Sequence, residues 1–294
     1  MRELRTKSDV AFDVVNTTIL LLVLAITLFP LIFVVMASFS NPMRVIQGDV
    51  WLWPVDFQIR SYQIVFNDPR ILRGYANTIM YTVVGTTINL VITTLGAYPL
   101  SRRDLAGRNT IMFFFAFTML FSGGLIPTFL LISNLGMINT FWVMVIPGAL
   151  SVWNMIIMRT FFTNSIPWEI QEAAKIDGCS NFMILIKIIL PLSGPIIAVM
   201  VLFYGVSHWN SYFNALIYLN DSSRYPLQLI LREILTLNQV GDMLDSIENF
   251  EEQLLQAEGI KYALIVVASV PVMILYPFLQ RYFVKGVMVG AIKS

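Results

Sequence analysis

Charge, cysteine and histidine are all scarce in this chain. Only 13% of its 294 residues are Asp, Glu, Lys or Arg, about half the roughly 25% usual for a soluble domain. That shortfall argues against a water-soluble globular protein. Cys179 stands alone, so no intramolecular disulfide is open to it. With one His and one Cys there is no metal-ligand cluster of the usual kind. The net charge of +1 gives no electrostatic footprint for a polyanion. No nucleic-acid motif is present, so no nucleic-acid partner is expected. A phosphate-cradling G-x-x-x-x-G-K-[ST] is missing, so this chain is expected to bind no nucleotide and no other cofactor. No nucleophile–base pair or carboxylate dyad supports a membrane-embedded enzyme. No carboxylate falls in the middle of an apolar run, which argues against a proton-coupled carrier.

What the chain has instead is length of apolar sequence. Hydrophobic residues make up 57% of it. A spanning helix needs about 20 mostly apolar residues. Six stretches qualify: 13–39, 74–100, 109–133, 138–162, 193–219 and 260–284. The first follows a basic start, but it is too long for a signal-peptide core and no cleavage pattern follows it. The expected fold is all-α, a polytopic membrane protein with six transmembrane helices in a single domain, 1–294. Lys and Arg divide twelve to seven in favour of the side that holds the N-terminus. The positive-inside rule then predicts cytoplasmic termini, outer loops at 40–73 and 220–259, and a cytoplasmic loop at 163–192. Trp51, Trp53 and Pro54 suit a membrane interface. In the second outer loop an amphipathic helix is expected over 227–237, followed by the acidic run "DMLDSIENFEEQLLQAEG".

One stretch departs from the apolar pattern: "EIQEAAKIDGCSNFMILIKIILPLSGP", from Glu169 to Pro195. Pro167 suits a first helical turn, and Glu169 and Glu172 lie near its positive end. Ala173 and Ala174 favour helix, and Gly178 can adopt the left-handed conformation that stops it. Ser180 can cap a second helix with Phe182, Leu185, Ile186 and Ile189 on one apolar side, ended by Pro191. The pattern is helix, sharp turn, helix, outside the membrane. A solvated connecting loop and a docking element both fit it.

Polar residues at bilayer depth tend to face a bundle interior or a cavity. Ser207, Ser211, Asn214 and Tyr218 recur at i, i+4, i+7 and i+11, flanked by His208, Trp209, Asn210 and Tyr212. Pro147, Ser151, Asn154 and Met158 repeat the same spacing, with Trp153 beside them. Amides bond hydroxyls and rings stack on apolar sugar faces, so Trp153, Asn154, Ser207, Trp209, Asn210, Ser211, Tyr212 and Asn214 are candidates for a solute path. Bonding across helix contacts is the plainer alternative. It is the reading preferred for Thr82, Thr86, Asn89 and Thr93, and for His208 as a satisfied polar residue. Pro127, Pro147 and Pro271 are read as kinks, and Gly123 and Gly124 as a bend or close contact. Arg159 is the one cation near the path.

"EAAKIDG" (172–178) with "ILP" at 189–191 resembles the EAA motif of the membrane-spanning subunits of binding-protein-dependent ABC importers. "NTIMYTVVGTTINLVITTLGAYPLSRRDLAGRN" (77–109), "FSGGLIPTFLLISNLGMINT" (121–140) and "YFVKGVMVGAIK" resemble their carbohydrate-uptake branch, in particular permeases for oligo- and polysaccharides, uronate-containing ones such as alginate and aldouronates included. The resemblance implies a MetI-like permease fold in a bacterial cytoplasmic (inner) membrane. It implies a heterodimer with a second, related permease chain, two ATPase subunits that carry ATP and Mg, an extracytoplasmic sugar-binding protein, and alternating access. It assigns the coupling to the ATPase to Glu169, Glu172, Ala173, Ala174, Asp177, Gly178 and Pro191. Glu172 would pair with a basic ATPase residue and Ala173 and Ala174 would fill the close contact. Cys179 stands where a small residue such as Ala is common in that family, and it is itself small. In the related maltose system the loop corresponding to 220–259 reaches into the binding protein. A permease for another solute, such as amino acids, is the alternative.

Overall fold

The computed structural model describes residues 6–241 and 250–291. Arg2, Arg5 and Lys293, counted above as inner cations, and residues 242–249 of the acidic run lie outside the described residues. Among those described, no strand occurs. In chain order the helices are α1 (Lys7–Ser38), α2 (Pro42–Ile46), α3 (Arg60–Asn67), α4 (Pro69–Ser101), α5 (Arg108–Leu120), α6 (Leu125–Asn134), α7 (Trp142–Val145), α8 (Val152–Ser165), α9 (Trp168–Ile176), α10 (Asn181–Ile184), α11 (Leu190–Leu192), α12 (Gly194–Trp209), α13 (Phe213–Tyr218), α14 (Leu227–Gly241) and α15 (Phe250–Ala291). They fall into two compact units, 1–69 with 231–269, and 70–230 with 270–294.

In the first unit, α1 starts with a reciprocal cap. The Thr6 hydroxyl accepts from Asp9 N, and the Asp9 carboxylate accepts from Thr6 N. An 18-residue window of its span Ser8–Ser38 has a mean hydropathy of 3.1, and no residue of that window is buried. A helix apolar on every side and uncovered by protein suits hydrocarbon. At its far end Ser38 shares a hydrogen bond of 2.7 Å with Tyr62, and Phe39 stacks on both Phe57 and Tyr62. Gly259 is needed where α15 passes α3, because a Cβ there would lie 2.6 Å from the Ser61 hydroxyl.

The second unit is built around α4, an unbroken helix of 33 residues. Its buried side carries Tyr81, Gly85, Asn89, Thr93 and Ala97, at steps of four. Gly85 permits the contact with α12: a Cβ there would stand 2.4 Å from His208 Nε2.

Three described helices are long and apolar enough to cross a membrane, Ser8–Ser38, Pro69–Ser101 and Ala257–Pro277, or up to five spans if two bent pairs each count as one. The expected straight helix over 109–133 is two helices meeting at 110°. The break falls at Gly123 and Gly124, and Gly124 adopts φ +86 with open space where its Cβ would be. Backbone freedom, not close packing, explains that glycine. The expected helix over 138–162 is helical only in α7 and α8, with Pro147 and Gly148 in the intervening turn. The stretch 193–219 begins after an 84° bend, and its helix stops at Trp209 before α13 resumes.

Candidate functional site

The charged segment forms the expected helix, turn and helix. Pro167 precedes α9, Glu169 sits in its first turn and Lys175 in its last. Gly178 turns the chain with φ +81. The Ser180 hydroxyl accepts from Met183 N at 3.3 Å and caps α10. The second helix is not regular: a π-helical turn, Leu185–Ile189, separates α10 from α11. It sits where Pro191 has no N–H to donate back along the helix. Leu185 and Ile189 are buried, whereas Phe182 and Ile186 are exposed, so the expected four-residue apolar side is split.

The faces of α9 differ. Gln171 and Ala174 are buried, and Ala174 joins the core with Ile184 and Leu185. Glu169, Ala173 and Ile176, at i, i+4 and i+7, are uncovered, with Ile176 86% exposed. Asp177, Gly178 and Pro191 are also exposed. Of the two alanines assigned to a partner contact, only Ala173 faces outward. Ala174 is occupied by its own chain. Glu172 accepts a hydrogen bond from Trp168 Nε1 at 2.7 Å, a partner one helical turn away that sequence reading did not supply.

Beside α9 lies a cluster that was not foreseen. Arg102, 5% exposed, donates from Nε and NH2 to the two oxygens of Asp104 at 2.8 and 2.7 Å, and from NH1 to Tyr98 Oη at 2.9 Å. Its guanidinium lies over the Trp168 ring, 5.4 Å from the centroid. Lys175 Nζ reaches Asp104 Oδ2 at 3.2 Å. The hydrogen bonds from Arg102, aided by Lys175, hold the Asp104 carboxyl well below the usual carboxylate range. The signal in the sequence was "YPLSRRD", charges gathered directly after an apolar helix.

A cavity of about 650 Å³ opens in the same unit. Trp153, Asn154, Ser207, Ser211 and Asn214, all candidates above, line it, together with Asn89, Gly148, Ser151, Tyr204, His208 and Tyr276. Trp209, Asn210 and Tyr212 are not in its wall. These three flank the spaced stripe in the sequence, and of the stripe itself Tyr218 is also outside the wall, buried in α13. Trp209 is buried edge-on against Tyr75, and Asn210 Nδ2 donates to its own helix at Val206 O, 3.0 Å away. Arg159 is also absent from the wall. Its Nε donates to Leu100 O at 2.8 Å, at the end of α4.

The wall is held by neutral hydrogen bonds. Asn89 Nδ2 donates to Gly148 O at 2.6 Å. The amide oxygen is left to accept from His208 Nε2 at 2.7 Å, which assigns the proton of that imidazole to Nε2. Thr93 and Tyr204 share a bond of 2.6 Å, and Tyr204 Oη accepts from Ser151 N at 3.3 Å. The α4 stripe is thus mixed. Asn89 and Thr93 bond across helices, while the buried hydroxyls of Thr82 and Thr86 have no partner among the described residues. Within the wall, Asn89 and Tyr204 are functional candidates that spacing alone did not separate from packing residues.

Residues 89–289 match the profile of the family described as binding-protein-dependent transport system inner membrane component. The chain belongs to that family. It is a multi-pass membrane permease component of an ABC importer, in which ATP hydrolysis is not the permease's own activity. It is 41% identical over 293 residues to Protein LplC of Bacillus subtilis strain 168, covering 98% of this chain and 97% of that one. It is 42% identical over 283 residues to the polygalacturonan/rhamnogalacturonan transport system permease protein YtcP of the same organism, covering 96% and 98%. Among solved structures it resembles a chain of a bacterial ABC transporter involved in the import of the acidic polysaccharide alginate, with TM-score 0.85, 36% identity and coverage of 95% and 99%.

Proposed function

We propose that this permease component is one of two related transmembrane chains of an ATP-driven importer of oligo- or polysaccharides, fed by an extracytoplasmic binding protein and driven by two ATPase subunits that hold ATP and Mg. The observation that carries this reading is the cavity wall: Asn154, Asn214, Ser207 and Ser211 offer hydroxyl partners beside Trp153, Tyr204 and Tyr276. Two relatives bear names of polygalacturonan and arabinooligosaccharide transport, which supports a carbohydrate over an amino acid. No Lys, Arg, Asp or Glu lines the cavity among the described residues. If the cargo carries uronates, their charge is met by the partner permease or the binding protein rather than by this wall. The uncovered face of α9, with Glu169, Ala173, Ile176 and the Gly178 turn, is the surface offered to the ATPase.

The chain crosses the inner membrane six times as one permease domain, with both termini cytoplasmic. Supporting this arrangement, segments expected on the outer side meet each other, the outer end of the span 138–162 and the loop 220–259: Asn139 Oδ1 accepts from Asn220 N and Asp221 N. The predicted inner ones meet through Lys175 and Asp104. Cysteine introduced at Ser222 or Asn134 labels from outside. Labelling only from the cytoplasm overturns the orientation. For the cargo, the complete complex in proteoliposomes is assayed for ATP-driven uptake of labelled tri-galacturonate and of an uncharged arabino-oligosaccharide. Uptake of amino acids with neither sugar transported overturns the carbohydrate reading.

A further inference from the structure

The last turn of α4 carries more fastening than a helix end in a loop requires. Leu100 O accepts from Arg159, Tyr98 O accepts from the Ser101 hydroxyl at 2.7 Å, and Arg102 O accepts from Arg108 NH1 at 3.2 Å. Helix ends leave carbonyls unsatisfied, and cations suit them. Here the two arginines come from α8 and α5, and the hydroxyl from α4 itself. On top of this sits the buried Arg102, whose charge is met by Asp104. A buried ion pair is weak evidence for stability, since apolar replacements of similar volume often serve as well. Its geometry is what distinguishes it: a bidentate fork fixes direction as well as distance.

The fork holds α9 at two points. Trp168 covers the guanidinium and Lys175 grips Asp104. These residues are i and i+7 on α9, one face over two turns. A separate face about a third of a turn round the helix, with Glu169, Ala173 and Ile176, is uncovered. The far side of the joint is α4, which continues without a break to Asn89 and Thr93. A force applied to the open face of α9 has a direct path to the cavity wall.

We propose that Arg102, Asp104, Trp168 and Lys175 form a positioning joint that delivers movement of α9 to α4, and so to the Asn89–His208 pair at the cavity. The inference rests on the ATP-driven reading above. Its residues position other groups and touch neither cargo nor nucleotide. Lys175 is the place to test it, because its side chain is 61% exposed and its replacement does not open the core.

The test uses the whole complex of both permease chains, the ATPases and the binding protein in proteoliposomes. Labelled tri-galacturonate and an uncharged arabino-oligosaccharide serve as cargo, and sugar transported per ATP hydrolysed is read. Lys175→Glu sets two carboxylates against each other. The joint predicts that ATPase co-purification and hydrolysis stay within about twofold of wild type while sugar per ATP falls at least fivefold, and that Lys175→Arg restores it. Asp104→Asn gives the same uncoupling from the other partner. Loss of ATPase association assigns Lys175 to docking and overturns the joint. A parallel fall in hydrolysis and uptake, or no change in either, overturns it too. A wild-type complex that moves neither sugar with ATP, yet moves amino acids, refutes the carbohydrate reading instead. Sugar per ATP is then replaced by amino acid per ATP, and the joint stands or falls on that ratio.

Discussion

Around the cavity, Asn89, His208, Thr93 and Tyr204 share neutral hydrogen bonds. At the end of α4, Arg102, Asp104 and Lys175 share charged ones. Both regions join elements distant in sequence, and both are polar islands in an apolar chain. The difference follows from where each lies. A charge within the hydrocarbon costs several kcal/mol unless paired, whereas a neutral amide needs only a partner. So the part expected to meet cargo recognises hydroxyls by shape and lone pairs. The part expected to transmit force is fastened by ion pairs, which tolerate their position at the boundary of water. The contrast predicts that steric damage disrupts the cavity region and electrostatic damage the α9 region.

The largest effect is expected at Gly85. Leucine there would drive its Cβ into His208, with 2.4 Å between them before any adjustment. Overpacking of this kind costs about 1–3 kcal/mol, and the Asn89–His208 bond is lost with it. Thermal unfolding of the purified complex should shift down, and uptake should fall at least tenfold. A wild-type transition would mean that α4 and α12 are less closely held than the structure has them.

Gly178 comes next and acts through backbone alone. Its φ is +81, and a Cβ at this position would meet nothing within 4 Å. Gly178→Val therefore adds no clash with a neighbour but forces a β-branched residue into a left-handed turn, at about 1–2 kcal/mol. Gly178→Asn should be milder, because Asn tolerates that conformation. Co-purification with the ATPase should rank wild type, then Asn, then Val. Equal loss for both would show that the turn tolerates no side chain at all.

The ion pair has a pH signature. The Asp104 carboxyl is lowered, chiefly by the hydrogen bonds from Arg102. A group lowered in the folded state contributes stability at pH values above its unfolded value of about 3.9. That contribution is lost as pH falls through the unfolded value toward the folded one. Asp104→Asn should flatten the acid side of the stability profile while leaving stability change with pH near neutrality unaltered. An unchanged acid limb would mean that Asp104 is no better held folded than unfolded.

How much of this was legible beforehand depended on how local the signal was. The α9–Gly178–α10 turn could be read because Ala, Gly and Ser carry their conformational preferences with them. The all-α class followed from run length. The fourth stretch was legible as apolar but not as broken, since only the Pro147–Gly148 pair hinted at it. The stop of α12 at Trp209 was not read from "VSHWNSYF", although Asn210 and Ser211 suit a helix end. Spacing placed Ser207, Ser211 and Asn214 on the wall, while the flanking Trp209, Asn210 and Tyr212 lie outside it. The Arg102–Asp104–Lys175 joint spans 71 residues between its acid and its lysine, and no local pattern announces such a pair.

The finest distinction lies between two asparagines that sequence alone treats alike. Asn154 lines the cavity, and its side-chain amide takes no hydrogen-bond partner among the described residues, so it is available to a hydroxyl. Asn210 is exposed outside the cavity and spends its amide on Val206 O. Replacing Asn154 with Leu removes one neutral hydrogen bond to cargo, about 0.5–1.5 kcal/mol, which is roughly a twofold to tenfold loss in uptake efficiency at low sugar, with assembly intact. Replacing Asn210 with Leu removes only a local bond at a helix end, and surface changes of that kind stay within about 0.5 kcal/mol. Dose–response curves for labelled sugar uptake on both variants decide the matter. If Asn210→Leu is the more damaging, the cargo runs past the 210–212 turn, and the wall defined by Asn154 and Ser207 is not the path.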